Sequence, residues 1–166
     1  MNSFYFDASG LAKRYSSEVG TPLVNYLFAN VTSNRMMCLT IGACEVVWIF
    51  VRKKNRGDIT STAFNQAIVD FQTEVINAAG FTLISAEDEL VIASFDLIEE
   101  HSINSTDAIL LNSALNIAAD LRRAGNDLVV VAADERLLRA ARAEGLETFN
   151  PEKNSQADLD ALLSHA

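Results

Sequence analysis

Apolar residues in this chain fall into two kinds of run, and their alternation predicts most of its secondary structure. Short β-branched and aromatic runs read as strands: Ser3 to Phe6, Met36 to Thr40, Phe81 to Ile84 and Leu128 to Ala132, with a last short strand near Thr148. Leu128 to Ala132 contains no polar residue, the pattern of a parallel strand buried on both faces. The longer segments between them read as helices. They start near Ala8 and at Thr21-Pro22, then span Gly42 to Arg56, Thr60 to Ala79, Ser85 to about Glu100, Ser105 to Ala124, Asp134 to Glu144 and Ser155 to Ser164. Thr21-Pro22 supplies a cap and a first-turn proline, and Ser85 with Asp88 and Ser155 with Asp158 have capping-box spacing. Gly57, Gly80, Gly125 and Gly145 stand where helices should end.

Strands that alternate with helices pair in parallel through right-handed crossovers. The expected fold is a three-layer α/β/α sandwich around a parallel sheet of four to five strands. With 166 residues, 49% of them hydrophobic and 2 prolines, the chain suits one domain. Residues 1–150 carry the fold, and 151–166 form a C-terminal tail with a short helix, part of the same domain. No linker, repeat or low-complexity tract interrupts it. Met1-Asn2-Ser3 carries no signal-peptide charge pattern, and the apolar stretch from Met36 to Val51 is broken by Glu45 and falls short of the roughly 20 residues that span a bilayer. A cytoplasmic protein without a membrane span is expected. Cys38 and Cys44 match no metal or redox spacing.

Charge narrows the function. Against 13 basic residues stand 22 acidic ones, a net charge of -9, which argues against a broad basic surface that coats nucleic acid. Any nucleic-acid contact then needs a local basic cluster, or the physiological partner is itself basic.

Ligands of parallel α/β sheets bind beyond the carboxyl ends of the strands, so acids at those ends are the candidates for a site. Glu45 stands out as the only charge between Arg35 and Arg52. A carboxylate in such a segment must be protonated, paired with a base elsewhere, or bound to a cation. Asp7 closes the first strand, Asp107 lies in the first turn of a helix, and Asp134 follows the Val129-Val130-Val131-Ala132-Ala133 run. Asp7 and Asp134 also read as plain helix caps, and Asp107 as a complement to the helix dipole. Taken together, the four match the oxygen-donor set of a hard divalent cation, Mg²⁺ or Mn²⁺, with one or two ions. Such a cluster repels itself without metal and should raise at least one pKa.

These residues carry a resemblance. Phe6-Asp7-Ala8-Ser9, Thr40 to Val46, Thr106-Asp107-Ala108-Ile109-Leu110 and Ala133-Asp134-Glu135-Arg136-Leu137-Leu138, in this order, resemble the PIN-domain family and in particular its bacterial toxin-like members, over the range from Phe4 to Pro151. The resemblance implies a metal-dependent ribonuclease with Asp7, Glu45, Asp107 and Asp134 as catalytic metal ligands. It also implies a homodimer and a cognate antitoxin whose basic segment covers the site. The chain departs from the pattern at Ala132, often Ser or Thr in similar proteins, and at Asn112, usually small and apolar. The reading from another class is a catalytically idle PIN-like binding protein.

Around the acids, Ser9 is placed to orient a ligand or water. Ile49, Arg52 and Arg56 return to the face of Glu45 on a helix, so Arg52 and Arg56, with Lys13 and Arg14, are the candidate RNA contacts; an ordinary cationic helix end explains Arg52 and Arg56 as well. Arg136, Arg139 and Arg142 read as a solvated face. His101 and His165 show no acid/base partner pattern. Tyr5, Tyr15, Tyr26, Trp48 and the phenylalanines are the candidates for a base-stacking role, though most of them are expected to fill the core. A haloacid-dehalogenase pattern would need an aspartate where Ser9 stands, and no phosphate-binding glycine loop exists.

Overall fold

The computed structural model of the chain, which describes residues 1–164, opens with strand β1 (Asn2–Phe6), a short helix α1 (Ala8–Leu11) and helix α2 (Thr21–Asn30). Strand β2 (Met36–Leu39) runs directly into α3 (Thr40–Arg56), followed by α4 (Ser61–Phe71), β3 (Thr82–Ile84), α5 (Asp88–Ile92), α6 (Phe95–His101) and α7 (Ser105–Arg123). β4 (Asp127–Val131), α8 (Glu135–Ala143), β5 (Glu147–Phe149) and α9 (Gln156–Ser164) complete the order. All five strands are parallel, in the order β3-β2-β1-β4-β5.

That order places β1 at the centre and reverses the direction of winding between β1 and β4. Phe6 pairs with Val131 at this junction, and a crevice opens beyond the strand ends where neighbouring connections diverge to opposite faces. Period-two alternation divides the strand side chains between two cores. Phe4, Phe6, Cys38, Val129 and Val131 pack with Leu11, Val24, Val46, Phe50, Phe71 and Leu159 on one face. Tyr5, Met37, Val130 and Ala132 pack with Leu110, Leu111, Leu137 and Leu138 on the other. Helices α1 to α4 and α9 therefore cover one face and α5 to α8 the other, a three-layer α/β/α sandwich. Leu128 to Ala132 are wholly buried, as their unbroken apolar run predicts.

Three expected features differ. The single helix from Thr60 to Ala79 ends as α4 at Phe71 and passes into a π-helical turn, Gln72–Ile76. The widened turn buries Val75 in the core while bringing Glu74 to Arg14. The helix expected from Ser85 to Glu100 is two helices, α5 and α6, and no side chain caps the first. Between them Ser94 is fully buried: its hydroxyl donates to the Leu90 carbonyl at 2.7 Å, and the Asn112 amide donates to both the Leu90 oxygen and the Ser94 oxygen. Asn112, polar where similar proteins are apolar, thus holds the break. Gly80 is not a helix terminator of the kind seen at Gly57, where φ is +81°; a Cβ at Gly80 would lie 2.2 Å from the Ser33 hydroxyl, so close packing requires it.

Candidate metal centre

Asp7 sits at the winding reversal because its backbone continues β1: its N–H donates to the Val131 carbonyl at 2.9 Å. Its side chain caps α1, accepting from the Ser9 N–H at 2.9 Å and from the Ser9 hydroxyl. Ser9 in turn accepts from the Ala133 N–H at 2.9 Å. One hydroxyl from α1 therefore ties the first acid to the end of β4, beside the position where Ala132 offers none. Gly10 permits this approach, since a Cβ there would stand 2.6 Å from the Val131 carbonyl oxygen.

Glu45 lies in the second turn of α3, half-buried. Asp107 lies in the first turn of α7 and is buried. Asn104 caps that helix, accepting from the Asp107 N–H at 2.9 Å and donating from its amide to the Asp107 carboxylate at 2.8 Å. Asp134 caps α8, accepting from the Arg136 N–H at 2.8 Å.

The structure brings all four acids into one electrostatic neighbourhood. Burial raises the pKa of Asp7, opposed by its Ser9 hydrogen bonds, and the charge of Asp134 adds to the rise. Burial and the charge of Asp7 raise that of Glu45, against a hydrogen bond from Thr106. Asp107 is pushed up to about 7, by burial first and then by the charges of Asp7, Asp134 and Glu45. Asp134 behaves oppositely: burial disfavours its charge, yet the hydrogen bonds and charge of Arg136 outweigh this and lower its pKa.

Among the described residues, no lysine, arginine or histidine nitrogen lies within 4.0 Å of the Asp7, Glu45 or Asp107 carboxylates. A base paired with Glu45 is thereby removed as its explanation. Three buried or half-buried carboxylates without a cationic partner form an oxygen-only donor set, which fits a hard divalent ion. Among the described residues, no three of these acids place carboxylate oxygens within 4.8 Å of one another. The group of three ligand-type side chains whose donor atoms do lie within 4.8 Å of one another is elsewhere, Glu100, His101 and Glu144. There His101 meets Glu144 at 2.7 Å, a partner across 43 residues that local spacing does not reveal. His165 lies outside the described residues.

The candidate RNA contacts divide. Lys13 is only 3% exposed and is paired with Glu152 and Glu18, so it holds the C-terminal segment rather than facing solvent. Arg14 grips Glu74 through two nitrogens, donates to Asn25 and lies over Phe28. Arg52 and Arg56 are exposed and have no acid within 4.0 Å among the described residues. Sequence reasoning missed Asn104, which holds Asp107, and it set aside Arg136, whose charge lowers the pKa of both Asp134 and Asp107. Their one sequence signal is position, within three residues of an already suspected acid.

A cavity of about 650 Å³ at the opposite end of the sheet is lined by Asn2, Asp127, Glu147 and Leu162 among others; none of the four acids lines it. Among the described residues, no helix is long and apolar enough to cross a membrane.

The architecture is that of a PIN-like α/β/α fold. Two solved structures share it. The crystal structure of PAE2754 from Pyrobaculum aerophilum is 15% identical, with a TM-score of 0.61 and 98% of each chain covered. That of FitAcB from Neisseria gonorrhoeae is 12% identical, with a TM-score of 0.58, covering 91% of this chain and 99% of that one. At these identities the likeness is one of fold. No protein-family model matches the chain, and no curated protein matches its sequence.

Proposed function

We propose that this protein is a metal-dependent endoribonuclease, the toxin of a toxin–antitoxin pair, acting in the cytoplasm as a homodimer. The observation that carries the catalytic reading is the set of Asp7, Glu45 and Asp107, drawn from three distant segments, none with a cation within 4.0 Å among the described residues and each with a pKa raised by burial and by the charges of the other acids. Folds seldom tolerate such a set without a cation to offset it.

Asp7, Glu45 and Asp107 would hold Mg²⁺ or Mn²⁺, one or two ions, with Asp134 at the margin of the site, directly or through water. A bound divalent ion supplies activation of water and stabilisation of charge on the phosphodiester. The chain's own groups set the geometry. Ser9 orients Asp7 and Asn104 orients Asp107. Asp107, with a pKa of about 7, stands ready to hold a proton on its carboxyl group near neutral pH. Arg136 faces the same site and offers a positive charge to a phosphate oxygen. Basic partners suit an acidic toxin, so the cognate antitoxin would present a basic segment to the crevice.

The test is a mixed RNA pool incubated with the protein in Mg²⁺, Mn²⁺ or chelator, beside Glu45→Gln, with cut ends mapped by sequencing. Metal-dependent cuts absent from Glu45→Gln are expected. Cuts equal in both proteins would refute the site. Silence of antitoxin-free protein on whole-cell RNA would favour the idle, binding reading instead.

A further inference from the structure

We propose that Trp48, with Arg52 and Arg56, forms a stacking platform for an unpaired segment of RNA leading to the acid cluster. The inference rests on the nuclease reading for the path of the strand, but not for the binding itself.

Trp48 is 57% exposed on α3. At 100° per residue it lies about 60° from Glu45 around the helix, Arg52 and Arg56 lie about 20° to either side of Glu45, and Arg52 is one turn beyond Trp48. Ile41, 42% exposed, continues the stripe on the other side of Glu45. One helical face thus presents, in order, an apolar residue, a site carboxylate, an indole and two guanidinium groups. From Glu45 to Arg56 it extends about 16 Å, the reach of a few nucleotides.

Charge selects the occupant. The chain carries a net charge of -9, so a polyanion is repelled from most of its surface. The neighbouring cations are committed: Lys53 pairs with Glu18 at 2.9 Å, and Lys54 sits over the Phe64 ring at 4.7 Å. Arg52 and Arg56 are the α3 cations without such a partner among the described residues, and they continue directly from the crevice. Flat bases stack on an exposed indole while phosphates meet guanidinium groups, the combination that binds single strands with little regard to sequence. A paired duplex keeps its bases stacked on each other and offers Trp48 no free face.

Trp48 is the chain's 1 tryptophan, so its emission reports this site alone. In chelator, which prevents metal-dependent cutting, an unstructured single-stranded RNA oligonucleotide should quench it saturably, and the same sequence as a duplex should not. Labelled-RNA anisotropy should show about 5–150-fold weaker binding for Trp48→Ala, near-wild-type binding for Trp48→Phe, and a salt slope smaller by about 2 for Arg52→Ala combined with Arg56→Ala. Glu45→Gln should still quench. Unchanged emission on adding RNA, or Trp48→Ala binding as tightly as the wild type, overturns the proposal. So does emission that tracks protein concentration instead of RNA, which would place a second copy on Trp48. Cutting without quenching removes this inference and spares the nuclease; quenching without cutting does the reverse.

Discussion

Replacing Asp107 with asparagine should stabilise the metal-free protein, the opposite of what removing a buried hydrogen-bonded carboxylate usually does. Asp107 has a pKa of about 7 in the fold against an ordinary value of 3.8. Between those values the folded protein holds a proton that the unfolded chain has released. Stability of the metal-free protein therefore falls as pH rises through roughly 4 to 7, then levels off. A displacement from 3.8 to about 7 corresponds to roughly 4 kcal/mol at about 1.36 kcal/mol per pH unit. Two of the three repelling neighbours, Glu45 and Asp134, are half-exposed, and solvent screening should leave about 1–2 kcal/mol. For a chain of this size that is roughly 2–8 °C in Tm. The assay is thermal melting in chelator at pH 5 and pH 8. Asp107→Asn should melt higher than wild type at pH 8, and the gap should narrow at pH 5, where the folded wild-type group is protonated and only about a third of the penalty has accumulated. Mn²⁺ should then raise the wild-type Tm and leave the variant nearly unmoved; an ion at ten times its Kd contributes about 1.4 kcal/mol. A variant that melts below wild type at pH 8 in chelator would refute the self-repelling cluster and make Asp107 a structural group.

Ser9→Ala removes the hydroxyl that joins Asp7 to Ala133 and should weaken Mn²⁺ binding by about 10–100-fold in calorimetry; unchanged affinity would assign Ser9 to helix packing alone. Gly10→Ala forces a Cβ against the Val131 carbonyl oxygen at 2.6 Å, for an expected loss of about 1–3 kcal/mol in urea unfolding. A loss below about 0.5 kcal/mol, the size of an ordinary surface change, would mean that α1 shifts freely. Lys13→Met should cost about 1–2 kcal/mol, because its partners Glu18 and Glu152 keep partial access to water. RNA affinity should stay unchanged, and a drop in it would return Lys13 to the binding surface.

Much of the framework was legible in the chain, because the signals involved are local. The Val129 to Val131 run has the composition of a strand buried on both faces, and Asp134 and the Ser155–Asp158 pair cap the helices that follow them. Glu45 announced itself as a lone charge in an apolar segment, and the structure gives it no basic partner within 4.0 Å among the described residues.

What the tertiary structure alone decided depends on contacts between distant segments. Ser94 breaks a continuous helical pattern because Asn112 reaches it from another helix, and Lys13 is withdrawn from solvent by Glu152, 139 residues away. The outward face of Trp48 follows from which side of α3 meets the sheet; its composition favours burial. The candidate site belongs to this second kind. Asp7, Asp107 and Asp134, each with an ordinary local explanation as a cap or a dipole complement, and Glu45 come from four distant segments, which the parallel sheet with its order β3-β2-β1-β4-β5 brings within reach of one another's charge. Their charges then act on one another across space, a coupling that no stretch of sequence contains.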